Sequence, residues 1–301
     1  MERVILSGRG PARVCSLLRG THDGSVRLVT SAGTYLKLGD RIILLCPERW
    51  GIVPIGVSLR NYEALLGLNP EPGQPVSIRE GTICFPAGSA QLRLTAAERS
   101  KKGGQVREAA LYRLAKILAD ENRKAGLAPL AALLQPEKKP WQPPNPYCAS
   151  ALPAIRTLLE GVAAGDRRRI DRGLDALLGL GPGLTPSGDD VLCGILYVLL
   201  RSDASERAGV RMLAQAAAAE APAKTNAVSA AYLTAIAGGE DYERMQGVWL
   251  ELTGEDVSRA GQLLEVGSCS GGDMLFGMLA AGRLLPDLGQ DGTDSGYQGK
   301  R

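Results

Sequence analysis

Hydrophobic and polar positions change rhythm once along this chain, near residue 98. Before it, short runs of β-forming residues alternate with turn signals. The runs are Val14 to Leu18, Val26 to Val29, Tyr35 to Leu38, Ile42 to Cys46 and Ile52 to Val57. Asp23-Gly24, Ala32-Gly33 and Gly39-Asp40 punctuate them. Val76 to Ile78, Thr82 to Phe85 and Leu92 to Leu94 continue the series. Many short strands with close turns predict a small barrel or sandwich over residues 1–97.

The charged, glycine-containing stretch Glu98 to Gly104 marks the change, and from about Gln105 the apolar period is helical. Ala110, Leu111, Leu114, Ile117 and Leu118 fall at helix spacing. A connector at 136–147 carries Pro136, Pro140, Pro143, Pro144 and Pro146, which predicts extended, polyproline-like backbone. Trp141 and Tyr147 would hold it to a surface. Helices are predicted at Ala151–Ala164, Arg167–Leu178, Asp190–Leu200, Ser205–Ala219, Thr225–Ala237, Asp241–Leu252, Val257–Leu264 and Asp273–Leu284. Residues 286–301 are rich in Gly, Asp and Ser and predict a disordered tail. The fold class that follows is α+β: a small N-terminal β-rich barrel or sandwich, then a larger all-α domain over 98–285.

Inside the helical part a pattern repeats. Ser187-Gly188-Asp189-Asp190-Val191-Leu192-Cys193-Gly194-Ile195-Leu196 and Ser270-Gly271-Gly272-Asp273-Met274-Leu275-Phe276-Gly277-Met278-Leu279 both fit Ser-Gly-x-Asp-x-Leu-x-Gly-x-Leu. Each opens a run that is apolar on nearly every side, so each predicts a buried helix. Gly194 and Gly277 lie seven residues after their serines. Glycine lowers helix propensity, so a close helix crossing is the expected compensation. Two pseudo-symmetric buried helices with matching starts are the result. Ser187 reads as an N-cap. Asp190, three residues later, can reach back to its amide as a capping-box variant, and Asp273 would do the same in the second copy.

Helix N-termini carry free N–H groups and partial positive charge, which suit phosphate or carboxylate. Gly181 and Gly183 in the Gly-Pro-Gly-Leu-Thr-Pro lead-in can adopt positive φ and let a ligand approach the backbone. The candidate catalytic residues are Asp189, Ser187 and Ser270. Candidate anion-binding residues are Gly181, Gly183, Thr185, Gly188, Ser268, Gly271 and Gly272, with Asp190 and Asp273 as structural caps. Thr225, Asn226 and Ser229 join them if their helix borders the cleft, whereas Tyr232 reads as part of a polar helix surface. The carboxylates would repel an anion unless they point back as caps or a cation such as Mg²⁺ intervenes. Cys269 lies near a helix start that would lower its pKa, but a small packing residue is the preferred reading.

Composition bounds the rest. The 301 residues are 45% hydrophobic and 22% charged, as in globular proteins, and can bury a sizeable core. A net charge of +3 gives no concentrated basic face for nucleic acid. None of the six cysteines forms a C-x-x-C pair, so neither a zinc ribbon nor a redox pair is expected. The start lacks a signal-peptide core, and no apolar run is long enough to span a bilayer, which together predict a reduced, cytoplasmic protein. The single histidine, His22, sits in Thr21-His22-Asp23-Gly24, which reads as a turn. A histidine-based triad or zinc site is therefore not expected.

The stretch Gly179 to Asp190, taken with Thr225-Asn226-x-x-Ser229 and Gly267 to Asp273, resembles a bacterial family once labelled carboxylases that includes AllH, a subunit of oxamate carbamoyltransferase. The likeness is strongest over about residues 150–285 and weaker in the β-rich third. It implies a transferase subunit that is incomplete without partner subunits and serves allantoin and purine nitrogen catabolism. Its implied ligand is a small anion: phosphate, carbamoyl phosphate, oxamate or oxalurate. The resemblance brings no catalytic residue with it. A non-catalytic assembly or regulatory subunit is the alternative, and a stand-alone hydrolase lacks both a nucleophile–base pair and a P-loop.

Overall fold

The computed structural model describes residues 4–100, 103–121, 125–135, 142–254 and 259–289. Eight strands close a barrel in the order β1-β5-β4-β3-β2-β6-β7-β8. They are β1 (Val4–Gly10), β2 (Thr21–Thr30), β3 (Gly33–Leu38), β4 (Arg41–Pro47), β5 (Gly56–Leu59), β6 (Pro75–Arg79), β7 (Thr82–Phe85) and β8 (Gly88–Ala96). The barrel shuts by parallel pairing of its first and last strands, Val4 opposite Ala90 through Gly10 opposite Ala96. Two short helices, α1 (Ala12–Leu17) and α2 (Tyr62–Leu66), complete it.

Three local expectations are corrected here. Val14 to Leu18 is not a strand but most of α1: Val14, Leu17 and Leu18 are buried at helical spacing, so the core-facing period is helical despite the β-forming residues. Ile52 and Val53 precede the strand that forms at Gly56–Leu59. His22 is not in a turn. It lies within β2 and pairs with Ile78 of β6.

Beyond the barrel lie α3 (Glu108–Asp120), α4 (Pro146–Ala164), α5 (Arg167–Leu177), α6 (Ser187–Arg201) and α7 (Ala208–Lys224). They are followed by α8 (Ala227–Ala237), α9 (Glu243–Thr253), α10 (Ala260–Leu264) and α11 (Ser270–Gly289). Their starts follow capping chemistry. Asn145 accepts from the Cys148 amide ahead of Pro146, and Asp166 accepts from the amides of Arg168 and Arg169. Pro146 therefore opens a helix rather than extending the connector. Of the connector, Pro136, Pro140 and Trp141 lie outside the described residues, and Tyr147 is an exposed residue of α4. α11 continues past Pro286 to Gly289, and the remainder of the expected tail lies outside the described residues, as do residues 255–258 before α10. No helix among the described residues is long and apolar enough to cross a membrane.

α6 and α11 pack at van der Waals distance because neither has a side chain at the crossing. A Cβ on Gly194 would overlap the Met274 carbonyl, and one on Gly277 would overlap the Val191 carbonyl. The core divides at the barrel wall. Leu36, Leu38, Ile43 and Leu45 point into the barrel, whereas Tyr35, Ile42, Leu44 and Cys46 point outward into the core of the helical part. This is the period-2 alternation of strands with both faces covered. Polar links lace the same junction. Glu243 accepts from the Ile52 amide at 2.9 Å and pairs with Arg9 at 3.0 Å, and Arg244 donates to the Arg49 carbonyl at 3.0 Å.

Candidate functional site

The turns that start α6 and α11 meet side by side. Thr185 Oγ1 is 2.9 Å from Ser270 Oγ, and Ser187 Oγ is 3.9 Å from Cys269 Sγ. A cavity of about 270 Å³ opens on them. Gly183, Thr185, Ser268 and Ser270 line one side. The barrel side supplies another, with Tyr35 and Trp50, and Tyr232 and Tyr242 also line it. The cavity thus lies between the barrel wall and the two helix starts. Sequence reading assigned the barrel no part in the site, and it placed Tyr232 on a polar surface. Tyr232 is instead 8% exposed, with its ring centroid 6.3 Å from that of Tyr242 and its hydroxyl facing that of Tyr35. Burial pushes the Tyr35 phenol up to about 12, so it is a neutral donor or acceptor at physiological pH.

The helix starts are built differently from the capping-box expectation. α6 is preceded by Pro186 and has no side-chain cap. Its first-turn amides are largely engaged: Gly188 donates to the Leu180 carbonyl, and Asp189 and Asp190 donate to that of Pro186. In α11, Gly271 donates to the Val266 carbonyl and Asp273 to that of Cys269. With few amides left over, the donors facing the cavity are mainly hydroxyls.

Nor do Asp190 and Asp273 turn back as caps. Asp273 reaches across to another segment, where its Oδ1 accepts from Leu127 N at 2.6 Å and Ala128 N at 2.8 Å. Gly126, at φ +71°, makes room for it, since a Cβ there would lie 2.6 Å from both carboxylate oxygens. Asp190 faces the hydroxyl of Ser270 in the opposite turn and that of Thr185 in its own, and Asp273 faces that of Ser187. Each aspartate therefore addresses the serine of the other copy. Their Oδ2 atoms are buried without a hydrogen-bond partner. Burial raises both carboxyls. Asp190 goes well above the usual range, with Ser270 opposing and Asp273 reinforcing; Asp273 reaches about 6, with Ser187 and the two amides opposing.

Asp189 is 1% exposed and accepts from three donors: Gly179 N at 2.9 Å, Thr225 Oγ1 at 2.5 Å and Ser229 Oγ at 2.6 Å. It ties the first turn to α8 and is not part of the cavity lining. Thr225 and Ser229 serve that same tie. Asn226 caps α8 by accepting from Val228 N and Ser229 N, both at 3.1 Å. Gly181, at φ +111°, backs onto the Ser187 amide, while Gly188 and Gly271 are held by close approach to the carbonyls of Leu177 and Leu263. Gly272 is buried in the first turn of α11. Cys269 has its thiol raised rather than lowered, by burial first and then by Asp273. The helix start does not outweigh these two effects. Among the described residues, no group of three or more His, Cys, Asp or Glu side chains is gathered to hold a metal ion, so the alternative of an intervening Mg²⁺ has no assembled ligand set there.

No curated protein and no solved structure matches the chain. Residues 177–282 do match a protein-family model, described as "Oxamate carbamoyltransferase subunit AllH". The matched segment begins at the end of α5 and runs through both serine turns to the middle of α11. Over that segment, about a third of its length, the chain is similar to the AllH family.

Proposed function

We propose that this chain is a subunit of a multi-protein carbamoyltransferase of the oxamate type, active only with its partner subunits. Its role is to bind the small substrate in the cavity between barrel and helices. Candidate ligands are oxalurate, oxamate, phosphate and carbamoyl phosphate. The observation that carries the reading is the hydroxyl pair Thr185–Ser270, which lies in the family-matched segment and faces an aromatic cavity. The reciprocal approach of Asp190 to Ser270 and Asp273 to Ser187, with reciprocal glycines at the crossing, supports a pseudo-twofold origin for the two turns.

In the reaction, a phosphate oxygen attacks the ureido carbonyl carbon of oxalurate, forming a C–O bond. The bond from that carbon to the oxamyl nitrogen breaks, and the proton carried by phosphate ends on that nitrogen. The products are oxamate and carbamoyl phosphate, as purine nitrogen catabolism requires. Fixed hydroxyl donors stabilise the oxyanion that develops on the attacked carbonyl. Thr185 and Ser270 have that role here, and neither histidine nor a covalent intermediate is needed. The setting is the cytoplasm, with no nucleic acid or membrane as partner.

The test is co-expression with the candidate partner subunits, followed by an assay for phosphate-dependent carbamoyl phosphate formation from oxalurate. Loss of turnover in Ser270→Ala within an intact complex supports the reading. Full turnover there favours a non-catalytic assembly subunit. One feature suits that second role: an apolar groove of about 340 Å³ on the helical face, lined by Leu133, Leu152, Leu159 and Phe276.

A further inference from the structure

We infer that the cavity between barrel and helices takes up an uncharged, planar amide or ureido group and turns away a doubly charged anion. This rests on the functional reading above and narrows it to one end of the substrate.

Four observations converge. First, none of the described lining residues is Lys, Arg or His. Two guanidinium groups do stack on Trp50, those of Arg244 at 4.6 Å and Arg49 at 5.7 Å. Both have other partners. Arg244 holds Glu265 and the Gln262 and Arg49 carbonyls, and Arg49 donates to the Ser31 carbonyl. Second, most first-turn amides that would otherwise cradle phosphate are engaged: those of Gly188, Asp189, Asp190, Gly271 and Asp273 donate to the carbonyls of Leu180, Pro186, Val266 and Cys269. Third, the carboxyl of Asp190 sits behind the cavity-facing hydroxyls of Thr185 and Ser270, and a second carboxyl, Asp273, lies behind the neighbouring buried Ser187. Ionised, they repel an anion; protonated, they offer one hydrogen bond and no positive charge. Each keeps a buried Oδ2 unpartnered. Fourth, the walls are flat aromatic rings, Tyr35 and Trp50 from the barrel with Tyr232 and Tyr242 from the helices.

Burying a dianion among such groups goes uncompensated. An amide, in contrast, both donates and accepts. It matches hydroxyls, which also do both, and its plane suits the rings. The carboxylate end of the substrate then faces the open side, from which the attacking phosphate is delivered.

Three probes of nearly one size and shape isolate the charge: oxamide, oxamate and oxalate. Titration calorimetry with the full chain, with inorganic phosphate as a fourth probe, reads the order. Oxamide binds most tightly, oxalate and phosphate at least tenfold more weakly, and oxamate between. Ser270→Ala weakens oxamide at least fivefold with an unchanged circular dichroism spectrum. Oxalate or phosphate binding as well as oxamide overturns the inference, as does absence of binding by any probe. An unaffected oxamide affinity in both Ser270→Ala and Thr185→Val also overturns it, because the site then lies elsewhere. The two readings fail separately: a working complex whose chain prefers oxalate sinks only the inference, and a silent complex with the expected probe order sinks only the function.

Discussion

Thr185 Oγ1 and Ser270 Oγ stand 2.9 Å apart although 85 positions separate them in the chain. Their contact joins the two serine turns at the cavity. Removing one hydroxyl by Ser270→Ala costs one partly buried hydrogen bond, about 1 kcal/mol of stability. Turnover of the assembled complex falls by at least tenfold. Urea titration and the carbamoyl phosphate assay, run on the same preparation, separate the two effects.

Asp189 behaves differently. Asp189→Ala leaves Gly179 N, Thr225 Oγ1 and Ser229 Oγ without their acceptor. Buried unmatched donors cost about 1–3 kcal/mol each, so the variant loses about 3 kcal/mol or more. Any loss of activity then follows loss of fold. A melting temperature unchanged from the parent chain contradicts this assignment.

The helix crossing gives a paired test. Gly194→Ala and Gly277→Ala each drive a methyl into a carbonyl of the facing helix. Overpacking of this kind costs about 1–3 kcal/mol, more than the ~1 kcal/mol that alanine gains in helix propensity. Gly261→Ala, on an exposed face of α10 with nothing within 4 Å of the new Cβ, is neutral or stabilises by up to about 1 kcal/mol. Equal stabilities for all three variants, measured by chemical denaturation, rule out a tight crossing.

The buried Asp273 makes stability depend on pH. Its carboxyl titrates near 6 in the fold against 3.8 for the free group. The folded chain therefore holds this proton more tightly than the unfolded chain. The Asp273 contribution to stability is greatest below about pH 4, falls as pH rises towards 6, and levels off above, with about 3 kcal/mol across the window. Asp273→Asn keeps an acceptor for Leu127 N and Ala128 N but has no proton to lose, so the slope between pH 4 and 6 flattens. Denaturation midpoints of both proteins at pH 4, 5, 6 and 7 measure the difference. A slope that persists in the variant belongs to another group.

The serine turns and their glycines were legible because the pattern is local and repeated: seven residues from Ser to Gly in each copy determine a buried, closely crossed helix. The direction of the aspartates was not legible. Asp190 and Asp273 look like caps in sequence, yet their contacts lie across the turn pair and at Leu127, 146 positions away. The contribution of Tyr35 and Trp50 was equally hidden, since nothing local ties a strand of the barrel to a helix of the other half. One signal was available. Ile42-Ile43-Leu44-Leu45-Cys46 has no polar alternation, and such a run marks a strand covered on both faces. Read that way, it places a second core against the outer surface of the barrel.

That doubly covered strand makes the two halves of the molecule interdependent. Cutting the chain at the change of rhythm leaves Ile42, Leu44 and Cys46 of one fragment facing water, and removes from the other the Tyr35 and Trp50 wall of the cavity. The barrel is thus no detachable appendage. Under the proposed function, a ligand in that cavity touches both halves at once, so its binding is expected to raise the stability of the whole polypeptide.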